Sequence, residues 1–173
     1  LEMADWRDFV VGGHEIRRDP LASGVLRMID DLQSHHPDLF ANCREELDAI
    51  ERRIRPGTTY NVGATIAGLA DLEIPRDASA RQTVERLQSD LQEFQETSGV
   101  ERVVVVNVAS TEPTDANEEL PATWPELNRL LDASDCPLPA SSLYAIAAID
   151  SGCSYINFTP SLGASLPAID ELA

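Results

Sequence analysis

Four consecutive valines, Val103 to Val106, constrain this chain more than any other feature. β-branched side chains fit a pleated strand better than a helix. A strand with one wet face alternates apolar and polar residues, and this run does not. It therefore predicts a strand covered on both faces, the situation of a parallel sheet flanked by helices.

The segments around the run have the matching rhythm. Ser79 to Gln82 is spaced as a capping box, and Val84, Leu87, Leu91 and Phe94 follow at helical intervals. Gly99 stands where that helix should stop. Upstream, Phe9-Val10-Val11 before Gly12-Gly13 reads as a short buried strand. Asp19-Pro20 reads as an N-cap and first helical residue, with Val25, Leu26, Ile29 and Leu32 as the apolar stripe. A second helix is expected over Pro37–Arg53, with Phe40, Cys43, Leu47, Ile50 and Ile54 on one side and Pro56-Gly57 as its stop. Thr58–Val62 has strand composition. Residues Gly63–Asp77 show no decisive pattern.

Downstream, Glu112–Pro121 is a polar, acidic loop. Trp124-Pro125 opens a short helix bearing Leu127, Leu130 and Leu131. Ser141–Ser151 is apolar almost all round, which predicts a helix buried on most faces. Cys153–Thr159 alternates as a strand, and Pro167–Ala173 begins a last helix. Helices thus separate the strands. The expected fold is α/β: a Rossmann-like, doubly wound parallel sheet.

Charge narrows the function. Thirty acidic residues face 13 basic ones, a net charge of −17. Such a chain repels phosphate backbones, which argues against nucleic acid as a partner. Every basic residue is arginine, so lysine chemistry is excluded within these 173 residues. There is no apolar run long enough for a membrane helix and no secretion signal, which points to the cytoplasm. Cys43, Cys136 and Cys153 fit no zinc spacing and are expected as reduced thiols. His35 and His36, beside Pro37, read as a turn or helix end with no third metal ligand. The first residue is Leu1, which suggests a piece of a longer chain.

In open parallel sheets, ligands bind beyond the carboxyl ends of the strands. Three expected strand ends pass from apolar to hydrogen-bonding residues. One is Ala109-Ser110-Thr111, where a small residue admits a flat cofactor and hydroxyls can bond its edges. The same residue types would also cap a following helix. Another is Glu15, after the first strand, whose two carboxylate oxygens suit a ribose diol. The third runs from Asn157 to Ser161. The glycine-rich loop that holds a pyrophosphate is absent, since Gly57, Gly63 and Gly68 are wrongly spaced. If Glu15 ends the second strand of the fold, that loop is expected before residue 1.

The segments GGHEI, ERVVVVNVASTEP and PASSLYAIAAIDSGCSYINFTPS resemble the myo-inositol-1-phosphate synthase (inositol-3-phosphate synthase) family. That family carries a GWDI-like segment, a V-I-V-L-W-T-A-N-T-E-R-F strand, and an S-P-S-T-L-F-A-V-A-S-I-L-E-G-C helix leading into an F-x-N-x-x-P strand. The resemblance implies NAD contacts at Glu15, Thr59, Val108, Ala109, Ser110, Thr111, Phe158 and Thr159. Glu15 stands for a family Asp. Val108 and Ser110 depart from T-A-N-T, and Phe158 replaces a glycine. It further implies conversion of glucose 6-phosphate to 1D-myo-inositol 3-phosphate by internal redox and aldol cyclisation, as in inositol and phospholipid biosynthesis. Catalytic lysines and a tetramer-forming sheet would lie outside this chain, so no catalytic residue or metal ligand is assigned here. Residues 1–173 would then be part of an NAD-binding domain. Two other readings stay open: another NAD-dependent oxidoreductase domain, and a non-catalytic nucleotide-binding or assembly domain.

Overall fold

A computed structural model describes residues 5–31, 37–113 and 120–173. Leu32, His35 and His36 lie outside them, as does most of the acidic loop after Pro113. The described chain has four strands and seven α-helices in the order β1 (Gly13–Glu15), α1 (Leu21–Asp31), α2 (Pro37–Glu51), β2 (Ile54–Pro56), α3 (Ala64–Ala67), α4 (Ala80–Ser98), β3 (Val104–Asn107), α5 (Trp124–Leu130), α6 (Ala140–Asp150), β4 (Ser154–Asn157) and α7 (Pro167–Leu172).

All strand pairing is parallel, as helical crossovers require. The strands form two pairs rather than one continuous sheet. β1 lies beside β2 with Glu15 opposite Pro56, and β3 lies beside β4 with Asn107 opposite Asn157.

The core centres on the seam between α4 and α6, with α7 packed on α6 and α5 on α7. Leu87 of α4, Leu143 of α6, Leu127 of α5, Ile169 of α7 and the connecting Leu131 and Leu138 are wholly buried. α6 carries eight buried residues, as its all-round apolar sequence predicts. α4 is bounded as expected. Gln82 N donates to Ser79 Oγ at 3.3 Å, and Gln82 Oε1 accepts in return from Ala78 N at 2.9 Å. Gly99 adopts φ 66°, the left-handed conformation that glycine reaches without strain. Replacing Ser79 with alanine removes the cap acceptor. The expected cost is about 1 kcal/mol, read as faster hydrogen exchange over the first turn of α4.

Four expectations are corrected by packing. The first strand is Gly13–Glu15, not Phe9–Val11; Phe9 and Val11 are 66% and 51% exposed. The aromatic ring of Phe94 occupies the space there, and a β-carbon on Gly12 would lie 2.8 Å from Phe94 Cε2. The second helix stops at Glu51, because Ile54 is drawn into a ladder opposite Gly13. Thr58–Val62 is irregular instead of a strand, with a turn at Tyr60-Asn61. Asn61 takes φ 48°, and its amide donates to the carbonyls of Cys136 and Leu138. Lastly, among the described residues the valine run is covered on one face only. Val103 and Val105 are half-buried, while Val104 and Val106 are 51% and 45% exposed.

Candidate functional site

Parallel strands end together, so their following loops are neighbours. At the end of β3 and β4, the backbone N–H of Phe158 donates to Asn107 O at 2.9 Å, extending the ladder one residue. Residues 108–111 therefore leave the sheet beside residues 158–159. Val108, Ala109, Ser110, Thr111 and Phe158 are exposed, and Thr159 is half-buried.

Two asparagines shape this end. Asn107 Oδ1 accepts from Ala109 N at 3.2 Å, a local bend that turns the chain out of the strand. Asn107 Nδ2 donates to Asn157 Oδ1 at 3.1 Å, and Asn157 Nδ2 donates to Ser161 O at 2.8 Å. The Thr159 hydroxyl is tied into the same network. It donates to Asn157 Oδ1 at 2.8 Å and accepts from Ser161 N at 3.2 Å. Tyr155, from β4, donates to Ser141 O at 3.0 Å, and burial pushes its hydroxyl up to about 12.

The other strand pair is built on the same plan. Gly57 N donates to Glu15 O at 2.9 Å, so the Glu15 and Thr59 segments adjoin. Glu15 Oε1 accepts from the backbone N–H groups of Ile16 and Arg17 at 2.8 and 3.2 Å, with Arg17 Nε at 3.7 Å. Those bonds fix the half-exposed carboxylate at the strand end. Thr59 opens onto a cavity of about 890 Å³ that is also lined by Thr58, Tyr60, Arg76, Asp77 and Thr83. Of the residues expected to touch a cofactor, it takes in Thr59 alone.

The two ends meet through their loops. Gly63, after β2, packs on Pro113, after β3: a β-carbon on Gly63 would lie 2.8 Å from Pro113 Cγ. Gly63 also has φ 81°, so any side chain here meets both a steric and a backbone obstacle. Below this junction, α6 reaches β1. Tyr144 OH and His14 Nδ1 lie 2.8 Å apart, and His14 Nε2 faces Asp90 Oδ2 at 3.4 Å. The latter distance is that of an ion pair. However, burial first and then the Arg86 and Arg55 charges lower the imidazole to about 4. His14 is therefore neutral near pH 7, and the natural arrangement is Tyr144 donating to Nδ1 with the Nε2 hydrogen toward Asp90. Burial raises Asp90, against the pull of Arg86.

Sequence reasoning placed Glu15, Ala109–Thr111 and Thr159 at strand ends, the family resemblance added Thr59, Val108 and Phe158, and neither showed what holds them. Glu112 is 8% exposed and accepts from Ser141 N at 2.9 Å and from Ser141 Oγ. Ser141 lies 29 residues further on and Tyr144 lies 130 residues from His14, so no local spacing marks either contact.

An NAD-binding family model described as Myo-inositol-1-phosphate synthase matches residues 1–173. The chain is 34% identical to inositol-3-phosphate synthase 1 of Oryza sativa subsp. japonica over 178 residues, covering 100% of this chain and 33% of the relative. It is 33% identical to inositol-3-phosphate synthase 1-A of Xenopus laevis over 180 residues, with 100% and 30% covered. The crystal structure of inositol-3-phosphate synthase from Caenorhabditis elegans superimposes with a TM-score of 0.76 at 22% identity, over 95% of this chain and 31% of that one. That likeness shows a common fold. The chain spans about a third of the length of these relatives. With the family model covering every residue, the chain belongs to the myo-inositol-1-phosphate synthase family.

Proposed function

We propose that this chain is the NAD-binding portion of an inositol-3-phosphate synthase, which converts glucose 6-phosphate to 1D-myo-inositol 3-phosphate. One observation carries the reading: the loops after β3 and β4 lie side by side and adjoin the loop after β2 through Gly63 and Pro113. A dinucleotide needs such a shared rim beyond the carboxyl ends of parallel strands.

The residues present fit part of such a ligand. The Glu15 carboxylate is held by backbone N–H groups through Oε1; Oε2 has no hydrogen-bond partner among the described residues and suits a ribose hydroxyl. Ala109, Ser110 and Thr111 offer exposed backbone and hydroxyl groups. Val108 and Phe158 offer exposed apolar surface for a flat ring, at 74% and 75% exposure. Thr159, its hydroxyl hydrogen given to Asn157, holds the rim's shape, and Thr59 lines the neighbouring cavity. NAD, when bound, supplies reversible hydride removal and return. The chain's own part is to bind and orient it.

In this reading the pyrophosphate loop, the catalytic groups and the tetramer contacts belong to the remainder of the protein. A strand entering between the two parallel pairs would merge them into one doubly wound sheet. No helix among the described residues is long and apolar enough to cross a membrane. A cytoplasmic homo-oligomer acting on a sugar phosphate, away from nucleic acid, fits that fact and the acidic charge.

The test is a fluorescence titration of the full-length protein with NAD and NADP, beside an assay for inositol phosphate formed from glucose 6-phosphate. A 2′-phosphate would meet the Glu15 carboxylate, so NADP should bind at least about tenfold more weakly. Tighter NADP binding removes Glu15 from its role. Absence of both dinucleotide binding and product defeats the whole reading.

A further inference from the structure

The rim that would face the dinucleotide consists of loops, and loops need anchoring to present groups in a fixed geometry. Glu112 provides the anchor. Among the described residues it is the only buried acid. Its carboxylate accepts from Ser141 N at 2.9 Å and from Ser141 Oγ, in the first turn of α6. Its backbone N–H donates to Ser161 Oγ at 3.0 Å, and Ser161 N donates to Thr159 Oγ1 at 3.2 Å. Residue 112 thus joins the loop after β3, the loop after β4 and the start of α6.

A carboxylate leaves water at high cost unless charge-assisted bonds replace its hydration. The first turn of a helix supplies unpaired N–H groups and the positive end of the dipole. Glu112 takes both, while directly following Thr111. The apolar seam of α4 and α6 does not need this bond, because its leucines are buried on their own account.

Resting on the function proposed above, we infer that Glu112 is the positioning residue of the dinucleotide rim, a strut from α6 that sets the height and direction of Ala109–Thr111. It touches no cofactor itself. Its partners are Ser141 for the side chain and Ser161 for the backbone.

Glu112→Gln in the full-length protein tests this. The amide keeps the side chain's shape and an acceptor for Ser141 N–H. It turns an N–H toward Ser141 Oγ, which already accepts from Gly163 N at 3.2 Å. Backbone hydrogen exchange over residues 109–112 should rise at least about tenfold, with α4 unchanged. NAD should bind about tenfold more weakly or worse, with KM for NAD moving more than kcat. Glu112→Asp, which keeps the charge on a stem shorter by about 1.5 Å, should recover part of the loss. Wild-type exchange at 109–112 overturns the inference. So does faster exchange with unchanged NAD affinity, since the loop would then be held for another purpose. If Glu112→Gln does not fold, Ser161→Ala removes the backbone anchor and is read the same way. A wild-type protein that binds no NAD defeats the proposed function as well, and is recognised before any substitution is made.

Discussion

Leu143→Ala is expected to lower the stability of this region by about 2–5 kcal/mol, the range for truncating a buried leucine. Leu143 has no exposed surface, sits on α6 and belongs to the cluster that includes Leu87, Leu138 and Ile146. Truncation removes its transfer energy and leaves a void that neighbours fixed on α4 and α7 fill poorly. Whole domains are commonly stable by about 5–15 kcal/mol, so the loss is a large share. Native-state hydrogen exchange at α4 and α6 amides measures it within the larger protein. Leu143→Met, close in volume, should cost less than about 1.5 kcal/mol. An alanine variant that loses under about 1 kcal/mol would show that α6 is not the centre of the core.

Arg86→Ala is the second large effect. Arg86 Nη2 lies 3.0 Å from Asp77 Oδ2, and Nη1 lies 3.7 Å from Asp90 Oδ2. Nη1 and Nη2 also donate to the carbonyls of Pro56 and Gly57 at 3.4 and 3.3 Å, holding the end of β2. The three side chains are only 13–21% exposed. Removing the cation leaves two largely buried carboxylates and two carbonyls without that partner. The expected loss at pH 7 is about 3 kcal/mol, the lower end for breaking a buried pair.

Its pH dependence is distinctive. His14 is lowered to about 4 by burial and, next, by Arg86. A depressed imidazole adds stability above its unfolded value, near 6.5, and loses it as pH falls through about 4. Without Arg86 the imidazole ionises more readily, so that loss shrinks. Asp90, raised by burial and held down by Arg86, rises further in the variant and takes up a proton sooner. Both changes spare the variant on the acid side. The stability gap between wild type and Arg86→Ala should therefore narrow from pH 7 to pH 4, followed by exchange or urea melts. A gap that stays constant across that window would show that Arg86 does not act on His14 and Asp90.

Local signals were legible where they were self-contained. Ser79, Gln82 and Gly99 bound α4 because capping involves residues only a few positions apart. α6 could be read from its unbroken apolar character, and β4 from its alternation. Short strands were not legible. β1 and β2 have three residues each, too few for a period, and Ile54 continued a helical spacing from Ile50 until pairing with Gly13 overrode it. The site followed the same division. Hydroxyl-bearing strand ends are visible in sequence, while the partner that bonds Glu112 and the burial that keeps His14 neutral come from contacts across tens of residues.

By itself, the sequence determined a parallel α/β chain with a valine strand, the capped helix α4, the apolar helix α6 and hydrogen-bonding strand ends, because these properties follow from short-range pattern and propensity. Tertiary structure alone decided that the strands form two separate pairs, that one face of the valine strand stays uncovered among the described residues, and that Glu112 braces the rim from α6. Those outcomes depend on which distant surfaces come together, and on the desolvation that makes a buried charge accept only the partners able to replace water.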